Sequence, residues 1–165
     1  MQVGIISDIH DNIWKLELAL RSLQAVDVLV CCGDLCSPFI VDQLARGFSR
    51  GPIHVVFGNN DGDRFRISLR AAHYKHFHLH GEFVELSLDG CRFAINHFDN
   101  IGRALAKSDA YDVVCYGHNH QFELEREGQT LKINPGEIMG GLSSGQLSTF
   151  VVYDTESGEA LRREV

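Results

Sequence analysis

The stretch QVGIISDIHDNIWKLELALRSLQAVDVLVCCGD, residues 2–34, decides the fold. Gln2 to Ser7 is an apolar strand, and Asn12 to Ala25 repeats Ile13, Leu16, Leu20 and Leu23 at helical spacing. Val28 to Cys32 is a second apolar run, so the stretch reads as a βαβ unit. Continuous apolar strands of this kind suit a parallel sheet covered on both faces. The rhythm then repeats. A helix opens near Pro38, an allowed first-turn residue, and closes near Gly47, and Ile53 to Phe57 makes a third strand.

Downstream the texture changes. Asp63 to Ala72 is helical, after which Phe83 to Leu88, the turn Asp89-Gly90 and Cys91 to Asn96 form a hairpin. A short helix over Ile101 to Lys107 precedes Val113 to Tyr116. Phe122 to Arg126, Glu127-Gly128 and Thr130 to Asn134 make a second hairpin, and Leu147 to Asp154 and Ala160 to Val165 are the last strands. The order predicts an α/β two-sheet sandwich, parallel early and antiparallel late.

The 165 residues, 44% hydrophobic and 22% charged, predict one domain over residues 1–165 with a continuous core. Met1 leads directly into the first strand, with no basic stretch, cleavage site or long apolar span, so a soluble cytoplasmic protein with no membrane segment is expected. Cys31, Cys32, Cys91 and Cys115 lie inside apolar runs as small hydrophobes, and no disulfide framework is expected. Cys32 and Cys36 lack a second pair to complete a zinc cage. A net charge of −7 without a Lys/Arg run argues against a broad nucleic-acid surface. A phosphate-handling site in such a chain needs its own local positive charge, and bound metal ions are the obvious source.

Five predicted strands end in residues that bind metals. Asp8 and His10 follow the first strand, Asp34 the second, Asn59 the third, His97 the strand ending at Asn96, and His118 with His120 the strand ending at Tyr116. Ligand sites in open α/β sheets form beyond the carboxyl ends of strands, so these seven residues are placed to converge. Singly, each has an ordinary explanation: Asp8 and Asp34 as helix N-caps, Asn59 as a turn residue, His97 as a satisfied buried histidine. Jointly, Asp-x-His and His-x-His put two ligands at one strand end, beside glycines that permit close approach. Four imidazoles, two carboxylates and one amide oxygen suit manganese, iron, nickel, cobalt or zinc, and disfavour calcium. Two such ions about 3.5–4 Å apart polarise phosphoryl oxygens and supply hydroxide near neutral pH.

The blocks Asp8-Ile9-His10, Gly33-Asp34, Gly58-Asn59-Asn60-Asp61, His97 and Gly117-His118-Asn119-His120 resemble those of the calcineurin-like metallophosphoesterases. With Asn134-Pro135-Gly136, the chain is most similar to the short, single-domain bacterial and archaeal phosphodiesterase branch, over roughly residues 1 to 155. The resemblance implies a four-layer α/β/β/α sandwich of two mixed sheets flanked by helices. It implies two divalent metal ions, with Asp8, His10 and His120 on the first, Asn59, His97 and His118 on the second, and Asp34 bridging. Asp34, Asn59 and His97 are then the catalytic set, and a metal-bound hydroxide attacks phosphorus in line with the leaving group. Many family members carry a proton-donating histidine where this chain has Asn60, and glycine where it has Phe98. Asn60 and Phe98 are therefore the candidate substrate-binding residues, with packing against the sheet as the equal alternative for Phe98.

The expected substrate is a small phosphate ester, a diester first and a monoester as the close variant, with a homodimer left open. Two other classes are a non-catalytic coat or scaffold subunit of the same fold and a nuclease. The intact ligand set argues against the first, and the short acidic chain without an evident groove against the second. His73, His76, His78 and His80 fall outside the matched blocks and promise only adventitious surface metal binding. The run Gly140 to Gly145 lacks a P-loop lysine, and its Ser143 and Ser144 lack a nucleophile-elbow context.

Overall fold

The computed structural model describes residues 1–141 and 147–165. The opening unit forms as read, with β1 (Gln2–Ile6), α1 (Ile13–Ser22) and β2 (Val28–Cys31), and the two strands are parallel. It continues through α2 (Phe39–Gly47), β3 (Ile53–Val55), α3 (Arg64–Ala71) and β4 (Phe77–Leu79), each strand again parallel to the one before. β4 was not expected: three residues of Phe-His-Leu carry too little periodicity to stand out from the histidine-rich stretch around them. On the other side of β1 lie β10 (Thr149–Asp154) and β11 (Ala160–Glu164), both antiparallel to their neighbours, which completes the order β11-β10-β1-β2-β3-β4.

The second sheet contains β5 (Phe83–Leu88), β6 (Cys91–Asn96), β7 (Val113–Cys115), β8 (Glu123–Glu127) and β9 (Thr130–Asn134), in the order β5-β6-β7-β9-β8. Both hairpins are present and antiparallel. The antiparallel reading of the late half nevertheless needs correction, because β6, β7 and β9 are mutually parallel at the centre of this sheet. The cause is α4 (Asp99–Ala106), which carries the chain from the end of β6 back to the start of β7 as a crossover helix. Hairpin turns are local signals; the pairing between hairpins is not.

Three apolar clusters separate four layers. α1 and α2 cover one face of the first sheet, where Leu16, Leu20, Ile40 and Leu44 meet Leu29, Cys31, Ile53 and Val55. Between the sheets, Val3, Ile5, Val28 and Val30 face Phe93, Ile95, Val113 and Cys115. The outer face of the second sheet packs Ala94, Val114 and Tyr116 against Ala106 of α4. Successive residues of β2 thus point into different cores, which is why the run is apolar throughout. Among the described residues, no helix is long and apolar enough to cross a membrane.

Gly102 sets how closely α4 approaches its sheet, since a Cβ there would run into the fully buried Tyr116 ring. Alanine favours a helix interior by up to about 1 kcal/mol over glycine, but overpacking a closed core costs about 1–3 kcal/mol. Gly102→Ala is expected to destabilise the protein in a denaturant titration. A higher unfolding midpoint would show that α4 is free to ride outward.

Candidate metal centre

The loops after β1, β2, β3, β6 and β7 meet at one end of the sandwich, and their backbones are bonded to each other. Asp8 N–H donates to the Gly33 carbonyl at 3.1 Å, His10 N–H to Asp34 at 3.1 Å, Gly117 N–H to His97 at 2.9 Å and Met139 N–H to Asp8 at 2.9 Å. Asp61, buried behind the centre, accepts from Gly58 N–H at 2.6 Å and Asp34 N–H at 3.2 Å through one oxygen, and from Cys36 N–H at 3.0 Å through the other. Glycine is required where these loops cross most closely. A Cβ on Gly58 would strike the Asp34 carboxylate, and one on Gly117 would strike Asp8.

All seven residues expected as ligands come together. Asp34 Oδ2 lies 3.4 Å from both His10 Nε2 and His97 Nε2. Asp8 Oδ1 lies 3.3 Å from His120 Nε2 and 3.6 Å from His10 Nε2. Asn59 Oδ1 is 3.0 Å from His97 Nε2 and 2.8 Å from His118 Nδ1. Asp8, His10 and His120 each offer a ligand atom within 4.8 Å of the others, and so do Asp8, Asp34 and His97. The helix-cap alternative for the two aspartates fails. Asn12 caps α1, α2 has no side-chain cap, and Asp8 and Asp34 have left-handed backbones with φ of 53° and 56°. His10, His118 and His120 are left-handed as well. Non-glycine residues adopt that region at a cost, and such strain gathers where side chains must be aimed at a site.

The donor set fits cations. Asp8 and Asp34 are almost fully buried, yet among the described residues Asp8 Oδ1 and His10 Nε2 have no hydrogen-bond partner. Burial alone would raise both carboxyls. The facing His10 and His120 rings nevertheless hold Asp8 well below the usual carboxylate range, and His97 and Asn60 lower Asp34. The same field acts on the rings: His120 is pushed up to about 9, chiefly by Asp8 and against the effect of burial. Such a field favours a divalent ion in the same place.

Asn60 and Phe98 occupy different positions around this centre. Asn60 donates its backbone N–H to Asp34 Oδ1 and its side-chain Nδ2 to Asp34 Oδ2, both at 2.8 Å, so it braces the carboxylate. Phe98 packs edge-on to His118 and His97, with ring centroids 5.2 and 5.4 Å away.

The sequence reading missed several supporting residues. Buried Glu137 sets Oε2 2.5 Å from His120 Nδ1, fixing the ring so that Nε2 faces Asp8. Cys36 Sγ lies 3.4 Å from His10 Nδ1, and the Cys32 carbonyl is 2.8 Å from His97 Nδ1. Arg64 stands at the rim, donating to the Gly58 carbonyl at 2.9 Å. Glu137 follows the Asn-Pro-Gly block directly, a sequence signal that marked the place without the role.

The remaining histidines lie elsewhere. His54 of β3 and His78 of β4 stack, and His54 Nδ1 is 2.9 Å from His80 Nε2, while His76 approaches the Ala45 carbonyl. Ser143 and Ser144 lie outside the described residues.

Residues 1–158 match the family model of the calcineurin-like phosphoesterase superfamily domain. The chain is 31% identical over 163 residues to the phosphodiesterase MJ0936 of Methanocaldococcus jannaschii, an alignment covering 96% of each chain. A solved archaeal phosphodiesterase superposes over 100% of both chains with a TM-score of 0.89 at 29% identity. Vacuolar protein sorting 29 from Cryptosporidium parvum aligns over 99% of this chain and 96% of its own with a TM-score of 0.65; at 16% identity that likeness is one of fold.

Glu137→Gln keeps the size of the side chain but removes the charge behind His120. Loss of such a partner typically weakens metal affinity by about 10–100-fold, and that loss is expected for manganese or zinc in equilibrium dialysis. Unchanged affinity would mean that Glu137 merely fills space.

Proposed function

The chain belongs to the calcineurin-like phosphoesterase superfamily, and from that membership we propose that it is a divalent-metal-dependent phosphodiesterase formed as one domain. Its substrates are small phosphodiesters, with phosphomonoesters as the close variant. The observation that carries this reading is the Asp34 carboxylate, one oxygen of which stands 3.4 Å from imidazoles of two separate ligand groups. Asp8, His10 and His120 would hold one ion, Asn59, His97 and His118 the other, and Asp34 would serve both; manganese, iron, nickel, cobalt and zinc all suit that donor set. When bound, two such ions polarise the phosphoryl oxygens and acidify water into a nucleophile at neutral pH.

The chain's own residues supply placement. Asn60 holds both oxygens of Asp34, which fixes the carboxylate between the two groups. Glu137 and the Cys32 carbonyl orient the His120 and His97 rings, so each presents Nε2 to the centre. Arg64 ties the loop after β3 in place, bonding the Gly58 carbonyl and pairing with Glu82. The complete ligand set favours an enzyme over a non-catalytic subunit of the same fold. All five cysteines are thiols, which supports a reducing compartment, and we place the protein in the cytoplasm.

Metal-loaded protein is expected to hydrolyse bis(p-nitrophenyl) phosphate, and to lose that activity on chelation and regain it with manganese. Persistence of the full rate in metal-free protein would overturn the reading. The bridging role has its own test. Asp34→Asn removes a charge shared by both ions, whereas His120→Ala removes a ligand of one. Elemental analysis is expected to find both ions depleted in the first variant and chiefly one in the second. Parent-level metal content in Asp34→Asn would refute the bridging assignment.

A further inference from the structure

Beside the centre, between α4 and the edge strand β5, lies a cavity of about 360 Å³ lined by Glu82, Phe83, Asn96, Phe98, Ile101 and Leu105. Most of its wall is apolar. Phe98 belongs to both places, because the ring that walls the cavity also packs on His118 and His97. The cavity and the metal centre are therefore separated by one side chain, the Phe98 ring. Phe83 and Ile101, 43% and 45% exposed, stand at its mouth as large apolar side chains facing water.

The unexpected feature is Asn96. It is 2% exposed, and among the described residues neither Oδ1 nor Nδ2 has a hydrogen-bond partner. Buried side-chain amides are almost always satisfied by protein or ordered water, so an amide free at both ends offers a donor and an acceptor to whatever polar group enters beside it. Strand alternation gives its direction. Phe93 and Ile95 point between the sheets and Ala94 points toward α4, which puts Asn96 on the face that carries the cavity. An asparagine amide pairs one donor and one acceptor, the complement of the donor–acceptor edge of a nucleobase. Aromatic walls supply the stacking surface such a base uses. The Glu82 carboxylate at that end is compensated by Arg64 at 2.7 Å, so among the described residues the cavity has no uncompensated cation of its own for a second phosphate.

We propose that this cavity is a nucleobase subsite: the phosphodiester substrate carries a nucleoside whose base lies against Phe98 and Phe83 and bonds Asn96 in a bidentate manner. The inference rests on the phosphodiesterase reading and names the substrate class. The base reaches the amide by turning aside the exposed Phe83 or Ile101 side chain, which costs little because neither is packed in the core. The phosphate then lies at the metal centre, on the far side of Phe98.

The test compares thymidine 5′-(p-nitrophenyl phosphate) with methyl p-nitrophenyl phosphate, which share a leaving group and differ in the retained alcohol. The metal-loaded parent is expected to show a KM at least tenfold lower for the thymidine ester. Asn96→Leu, close in volume, is expected to reduce that ratio about tenfold, the scale of a lost pair of hydrogen bonds. Ile101→Trp, made at an exposed position and filling the mouth, is expected to do the same should Asn96→Leu fold poorly. Thymidine binding followed by NMR gives a readout independent of hydrolysis, and both variants are expected to weaken it. Hydrolysis of both esters with equal KM and no thymidine binding would overturn the subsite and leave the phosphodiesterase reading intact. Thymidine binding that depends on Asn96 in a protein that cleaves neither ester would sustain the subsite and overturn the activity. Binding that persists unchanged in Asn96→Leu would show an apolar groove that does not read a base, and would also refute the proposal.

Discussion

Two carboxylates with almost no exposure, Asp8 and Asp34, set the terms for the rest of the molecule. Burying an ionised carboxylate costs several kcal/mol unless positive charge and hydrogen bonds surround it. Two of them at the ends of adjacent parallel strands repel as well. The chain answers with donors from many loops: Asn60 on Asp34, His118 N–H on Asp8, and imidazoles facing both. None of these comes from the same loop as the carboxylate it stabilises, except His10 beside Asp8. The centre therefore exists only when both sheets are assembled, which ties the integrity of the site to the cooperativity of the whole fold.

That dependence explains which parts were legible in the sequence. Strand runs buried on both faces announce themselves in composition, and β1, β2 and β3 were read with ends within about two residues of those observed. Asp8, Asp34, Asn59, His97, His118 and His120 stood out because polar residues directly after apolar runs break the pattern at the same structural position each time. The proposed ligand set was thus a property of strand ends, which are local. The order of strands in the second sheet was not local, since a crossover helix and a hairpin turn can be recognised without revealing which edges meet.

The roles of Glu137, Asp61 and Asn96 escaped for a related reason, although Asp61 lies in a matched block. Each is ordinary in its own neighbourhood and acquires meaning only from a partner far along the chain. Glu137 matters because His120 turns its Nδ1 toward it, and Asp61 because three backbone N–H groups from two loops converge on its carboxylate. Asn96 looked like the last residue of a strand. Its significance lies in having no partner among the described residues while buried, a negative fact that only coordinates supply.

Asn60 bears on the centre through Asp34. Its amide is committed to Asp34 and has no proton to lend, so on the proposed reading a leaving alcohol departs as its anion or takes a proton from water. General acid catalysis, worth roughly 10²–10⁴-fold, is missing from that position. Such a site gains from binding the alcohol that stays rather than assisting the one that leaves. Contacts with a retained group position phosphorus against the centre throughout the reaction, and their binding energy offsets the orientation entropy of the attack. A cavity that shares the Phe98 wall with the centre is where a retained group would be held. On the proposed reading, the lack of an acid at one position and a binding surface beside it would act together, giving selectivity for the body of the substrate in place of power over its leaving group.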